Sequence, residues 1–168
     1  MNRALFLDRD GVINEDYGYV HKIEDFHFRD GIFDVCRAAQ NARLKIIVVT
    51  NQAGIGRGLY SEAQYKTLTT YMLGCFREEG VSISGVYHCP FHPTCGLGHF
   101  KKNSFNRKPN PGLIIQACTD FNINPLLSIM VGDSESDKAA CFASGIRLFV
   151  PAGHPKWTRN AIDLIKSC

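Results

Sequence analysis

Phe6-Leu7-Asp8-Arg9-Asp10-Gly11-Val12 is the stretch on which the fold turns. The apolar run from Ala4 to Leu7 breaks off into two carboxylates at i and i+2, followed by glycine. In an extended backbone alternate side chains point the same way, so Asp8 and Asp10 are expected to face one pocket and Arg9 to face away. At the C-terminal end of a buried parallel strand, that pocket is where open α/β sheets bind ligands. Two hard oxygen ligands side by side suit Mg²⁺, which favours one or two carboxylates plus phosphate and water. A surface Asp-x-Asp-Gly turn would read the same in isolation. The rest of the chain separates the two.

Outward from this strand, strand and helix patterns alternate. A polar, aromatic loop from Asn14 to Arg29 leads to an amphipathic segment from about Gly31 to Ala42. Lys45 to Thr50 is a β-branched run of the kind buried on both faces of a parallel sheet. The glycine-rich stretch Gly54 to Gly58 follows, then a long helix opening at Ser61, where Ser61-Glu62-Ala63-Gln64 has capping-box spacing. A third strand, Gly85 to His88, enters an irregular loop of about residues 89–108. Asn110-Pro111 reads as an N-cap with proline at N1, opening a helix to about Phe121. Ser128 to Val131 is a fourth strand, ended by Gly132-Asp133. A helix to Ala143 stops near Gly145, Arg147 to Val150 makes a fifth strand, and a last helix begins near Thr158. Strands alternating with helices imply right-handed crossovers and an α/β, doubly wound parallel sheet in a single domain over 1–168, with no room for an inserted cap domain.

Bulk properties exclude several classes. The length suits one domain with a good core. A formal charge of +3, with basic residues scattered rather than striped, gives no reason to expect nucleic acid or a membrane surface as partner. The seven cysteines are odd in number and dispersed, which fits free thiols in a reducing cytoplasm. The apolar run after Arg3 is too short for a signal peptide, and no run approaches a membrane span.

The chemistry collects at the C-terminal strand ends. The first strand supplies Asp8 and Asp10, the second Thr50 and Asn51, the fourth Asp133, and Lys108 precedes the helix leading to the fourth. In a parallel sheet these ends share one edge. Three carboxylates, a hydroxyl and a lysine form a kit for phosphoryl transfer: the carboxylates hold Mg²⁺, one can attack phosphorus, and the other groups stabilise the equatorial oxygens.

In this order, Asp8-x-Asp10, Thr50, Lys108 and Gly132-Asp133-x-x-x-Asp137 resemble the four signatures of haloacid dehalogenase (HAD) superfamily phosphatases. Residues 8–21 (DRDGVINEDYGYVH), 50–64 (TNQAGIGRGLYSEAQ), 89–93 (CPFHP) and 107–112 (RKPNPG) resemble the D-glycero-D-manno-heptose 1,7-bisphosphate 7-phosphatase family, whose sister is histidinol-phosphate phosphatase. The resemblance implies a capless HAD fold and Asp8 as the nucleophile of an aspartyl-phosphate. It implies Asp10 as the group that protonates the leaving oxygen and then activates water. Mg²⁺ would be held by the Asp8 carboxylate, the Asp10 carbonyl and Asp133. Thr50 and Lys108 would bind the transferring phosphoryl group, with Asp137 bracing the site. Asp16, Tyr17, Gly18, Tyr19, Asn51, Gln52, Ala53 and Arg107 match substrate-contacting positions. The implied partner is a small sugar bisphosphate, met by a monomer whose site mouth is built from Tyr17 to His21, Gly54 to Tyr60 and Cys89 to Asn106.

The chain departs from that pattern twice. The family's structural zinc, held through Cys-x-His and a later Cys-x-Cys, would keep only Cys89, because Phe91, Ser104 and Asn106 stand at the other ligand positions. Structural zinc is therefore not expected. Cys89, His92, Cys95 and His99 form the one conceivable substitute set, and Phe91, Phe100 and Phe105 could pack under the loop instead of a metal. Ser134 stands where the heptose enzymes commonly carry a phosphate-binding lysine; a serine could still donate a hydrogen bond.

Two other functions compete with the heptose phosphatase. One is a phosphatase for histidinol phosphate or another small sugar phosphate. The other is a phosphoacceptor receiver module, whose aspartate ends the third strand; His88 occupies that region here. A catalytically dead scaffold is disfavoured because every core catalytic position is filled. The anomer of the bisphosphate is left open by the sequence.

Overall fold

The computed structural model describes residues 1–167. Five strands, β1 (Ala4–Leu7), β2 (Lys45–Asn51), β3 (Gly85–Cys89), β4 (Ile129–Gly132) and β5 (Leu148–Pro151), form one sheet in the order β3-β2-β1-β4-β5. All four pairings are parallel. The order reverses beside β1: the chain steps outward through β2 and β3, then crosses to β4. That puts the topological switch point, and the crevice it opens, at the end of β1.

Strand alternation divides the core in two. Leu5, Leu7, Ile46, Val48, Ile129 and Val131 point to one face. There they meet helices α1 (Ile32–Asn41), α3 (Glu62–Glu78) and α6 (Trp157–Ser167) through residues such as Val35, Met72 and Ala161. Ala4, Phe6, Ile47, Val49 and Met130 point to the other, against α4 (Gly112–Asp120) and α5 (Glu135–Ala143) through Ile114, Ala117 and Ala140. The one remaining α-helix among the described residues, α2 (Ala53–Gly56), is a single turn where the sequence pattern had read only a glycine-rich loop.

Local signals decide several boundaries. At Ser61 the capping box is complete: Gln64 N–H donates to Ser61 Oγ at 3.2 Å, and Ser61 N–H to Gln64 Oε1 at 2.8 Å. Asn110, expected as the cap of α4, is not one. Its amide donates instead to the Ser104 carbonyl at 3.0 Å, and Pro111 occupies the cap position without a side-chain bond. No helix among the described residues is long and apolar enough to cross a membrane.

Candidate active site

Past the end of β1 the chain turns sharply at Gly11, where φ is +81°. A Cβ there would lie 1.8 Å from Asp133 Oδ2, so only glycine lets the β1 and β4 ends approach this closely. The crevice above them is a cavity of about 460 Å³ lined by Asp8, Asp10, Thr50, Lys108 and Asp133. Around these lie Asp16, Gly18, Tyr19, Asn51, Ala53 and Arg107.

Lys108 is the centre of the floor. Its side chain is 2% exposed, and its ammonium lies 2.9 Å from Asp8 Oδ1, 2.6 Å from Asp137 Oδ1 and 2.9 Å from the Val49 carbonyl. An ammonium has three protons, and here each has an acceptor. Asn51 fixes the backbone behind it with both ends of its amide, accepting from Lys108 N–H and donating to Lys108 C=O, each at 3.0 Å. Asp137, read from sequence as a brace, is thus a direct partner of the lysine.

Three carboxylates, Asp8, Asp133 and Asp137, each offer an oxygen within 4.8 Å of the others. One ammonium does not balance them, and the imbalance shows in their protonation. Burial, reinforced by the Asp137 charge, pushes the Asp8 carboxyl up to about 7 despite Lys108. Burial and Asp137 likewise push Asp133 up to about 6. Burial would also raise Asp137, but Lys108 and hydrogen bonds from Ser134 outweigh it and hold this carboxyl below the usual range. Lys108 itself is raised, burial being outweighed by Asp8 and Asp137.

Asp10 has its own cation. Arg9 stays out of the cavity lining, as its place between the two aspartates predicts, yet its guanidinium, 2% exposed, reaches round to grip Asp10 at 2.9 Å and donates to the Val20 carbonyl at 2.7 Å. Asn14 Nδ2 and Gln52 Nε2 each donate to the same carboxylate at 3.0 Å. A buried guanidinium seeks a carboxylate, and the nearest one is its chain neighbour.

Two expected substrate contacts lie outside the cavity lining. Gln52 is buried, with Nε2 committed to Asp10 and to Thr50 Oγ1 at 2.9 Å, while its Oε1 accepts from the Tyr60 hydroxyl. Tyr17 is 65% exposed and turned edge-on to His27. The left-handed backbone at Gly18 (φ +81°) and Tyr19 (φ +53°) turns the loop so that these two line the cavity in its place.

Ser134 does not compensate for a lysine. Its hydroxyl caps α5, donating to Asp137 Oδ2 at 2.7 Å and accepting from Asp137 N–H at 3.2 Å. Its proton is therefore spent inside the protein. Cys89, His92, Cys95 and His99 are not brought together either: Cys89 is buried in the core, His99 lies against the Phe100 ring, and among the described residues the only group of three or more metal-capable side chains is the aspartate trio. Phe91 and Phe100 pack under the loop with ring centroids 6.0 Å apart, but Phe105 is 62% exposed and takes no part.

The mouth is built from three interlocked loops. His21 stacks on Tyr60 at 5.0 Å, Arg57 lies over the Tyr19 ring at 5.1 Å, and Leu97 N–H donates to the Gly56 carbonyl at 2.8 Å. His92 and Ser136 also line the cavity, and the sequence pattern had not placed them there. Ser136 sits in the first turn of α5, one residue before Asp137, a position that could have flagged it.

A family model described as haloacid dehalogenase-like hydrolase matches residues 99–150. A Burkholderia mallei protein named D-glycero-alpha-D-manno-heptose-1,7-bisphosphate 7-phosphatase is 54% identical over 145 residues, 86% of this chain and 77% of that protein. An Escherichia coli K12 protein named for the beta anomer is 42% identical over 166 residues, 96% of this chain and 87% of that protein. Among solved structures, the D,D-heptose 1,7-bisphosphate phosphatase of B. bronchiseptica, complexed with magnesium and phosphate, superposes with a TM-score of 0.85 at 21% identity over 99% of both chains. That last likeness is one of fold. The chain belongs to the heptose-1,7-bisphosphate 7-phosphatase family of haloacid dehalogenase-like hydrolases.

Proposed function

We propose that this protein removes the C7 phosphate of D-glycero-D-manno-heptose 1,7-bisphosphate, with Asp8 as nucleophile. The observation that carries the reading is the Asp8–Lys108–Asp137 bridge on the floor of an open cavity, in a chain that is 54% identical over 145 residues to a relative of that name. Both recorded bonds to Asp8, from Arg9 N–H at 2.7 Å and from Lys108, fall on Oδ1. Oδ2 is the oxygen left to attack phosphorus. Lys108 and Thr50 sit where they can hold the phosphoryl oxygens as charge redistributes. Gln52 donates to Thr50 Oγ1, so the threonine keeps its own proton to donate, and its 3.5 Å bond to the Asn51 carbonyl is long enough to be exchanged for one to the phosphoryl group.

Asp10 serves as acid and then base at the leaving oxygen and the incoming water. Arg9, Asn14 and Gln52 hold its carboxylate in place between those two tasks.

The donor set fits Mg²⁺. Three carboxylates and one ammonium leave a net charge of −2 (3 negative, 1 positive), which one divalent cation balances. Asp8 and Asp133 would hold it together with the Asp10 carbonyl, because Asp137 is already taken by Lys108 and Ser134. Bound there, the ion would neutralise phosphoryl charge and let Asp8 approach an anion.

The relative named for the alpha anomer is 54% identical and that named for the beta anomer 42%, which makes the alpha anomer the expected better substrate. Phosphate release with Mg²⁺ from both anomers and from histidinol phosphate tests the reading. A heptose bisphosphate preferred, with the C1 phosphate retained by ³¹P NMR, supports it; histidinol phosphate preferred, or loss of the C1 phosphate, overturns it.

A further inference from the structure

A sugar bisphosphate brings two phosphates, and the floor of the cavity is equipped for one. Lys108 and Thr50 are taken by the phosphate that is transferred, Asn51 is spent on the Lys108 backbone, and the Ser134 proton is spent on Asp137. The second phosphate must find donors on the wall, where the loop after β3 presents Arg107 and His92.

The His92 ring is locked by its own loop. Nδ1 accepts from Thr94 N–H at 3.2 Å and from Cys95 N–H at 3.0 Å. A nitrogen that accepts two backbone N–H bonds carries no proton, so the neutral ring must carry its proton on Nε2. With Nδ1 turned to the loop, Nε2 is the nitrogen available to the cavity that the ring lines. The loop is held in turn, because His92 N–H donates to the Phe100 carbonyl at 3.1 Å, and His92 pairs with Lys101 in a β-bridge. Partial burial and the neighbouring Arg107 and Arg57 charges keep the ring below its ordinary pKa, so it stays neutral.

We propose that His92 is a specificity-determining residue, a neutral Nε2–H donor fixed beside Arg107 that binds the phosphate the enzyme does not remove. This rests on the bisphosphate reading above. Arg107 supplies charge and His92 supplies a directed hydrogen bond, so together they replace what a lysine at position 134 would have brought.

The test separates this role from a purely structural one. His92→Asn keeps a δ-position acceptor that can take the Thr94 and Cys95 N–H bonds, as asparagine does in turns, but has no Nε2. Kinetics are compared for wild type, His92→Asn and His92→Ala on the bisphosphate and on p-nitrophenyl phosphate, which has no second phosphate. In His92→Asn the ratio of kcat/KM for the bisphosphate to that for p-nitrophenyl phosphate should fall about tenfold, mainly through KM, as expected for one hydrogen bond to a charged group. An unchanged ratio in His92→Asn, with the loss confined to His92→Ala, assigns His92 to loop structure and overturns the proposal. Wild type showing no preference for the bisphosphate removes the functional reading itself, and this proposal with it. Independently of turnover, ¹⁵N NMR should find Nε2 protonated and Nδ1 bare; a proton on Nδ1 contradicts the assignment.

Discussion

Removing the divalent ion should make stability depend on pH in a way that restoring it cancels. In the metal-free chain burial pushes the Asp8 carboxyl up to about 7, from an ordinary value of 3.8. Between those values the folded state binds more protons than the unfolded state, so the unfolding free energy contributed by Asp8 falls as pH rises. The ion requires Asp8 as the carboxylate, so the protein competes with protons for it. Below a ligand's pKa each pH unit weakens binding about tenfold; for Asp8 that is about 100-fold between pH 8 and pH 5. Asp133, raised to about 6, acts in the same direction but is exposed, so solvent screening makes its part smaller. With Mg²⁺ at about 100 times its pH 8 dissociation constant, binding stabilises the fold by about 2.7 kcal/mol at pH 8, or about 5–10 °C in Tm for a chain of this size. At pH 5 the same concentration only about equals the dissociation constant, and the shift shrinks to about 1 °C. Differential scanning fluorimetry with and without Mg²⁺ at each pH isolates the term, because other titrations cancel in the difference. A Mg²⁺-induced shift of equal size at pH 5 and pH 8 would refute the placement of Asp8 among the ligands.

Asp8→Asn should lower turnover roughly a thousandfold or more while leaving the metal-free Tm unchanged or higher, since the amide relieves the crowding with Asp137; retained turnover would end the covalent mechanism. Gly11→Ala meets both a left-handed backbone and the Asp133 carboxylate, so it should cost about 1–2 kcal/mol of stability and abolish the Mg²⁺-dependent shift at pH 8. Tyr60→Phe removes the hydroxyl that fixes the Gln52 amide and frees it to turn its oxygen towards Asp10. We expect kcat to fall about tenfold with KM little changed; an unaffected kcat would show that Gln52 needs no such anchor.

The sheet was legible because its signals are local. Five apolar runs, each followed by a polar break, and a capping box at Ser61 announce strands and a helix within a few residues of where they lie. The floor of the site was legible for a related reason: residues at parallel strand ends must share an edge, whatever their separation in sequence. What was not legible depends on where a side chain turns once it gets there. Asp8-Arg9-Asp10 reads as in-out-in, yet a long guanidinium can curl back, and burial leaves Arg9 no better partner than Asp10. Gln52 and Ser134 are polar residues at the right strand ends whose hydrogen-bonding capacity is absorbed by neighbours far away or just ahead in the chain. Four metal-capable residues between Cys89 and His99 are close in sequence, but Cys89 is buried in the core, His92 Nδ1 accepts from the Cys95 backbone and His99 lies against Phe100, so the four do not form one site. His92 was visible only as one of those four; its place in the cavity follows from a turn that its own Nδ1 closes.

The central claim is that phosphate leaves the substrate by way of Asp8. Rapid acid quench with enzyme in excess over heptose 1,7-bisphosphate, followed by mass spectrometry of the quenched chain, tests it directly. The account predicts a phosphoryl group that appears on the peptide containing Asp8 as the bisphosphate disappears, and decays as inorganic phosphate accumulates. Complete turnover with no phosphorylated chain at any time, or a phosphoryl group on another residue, would contradict it.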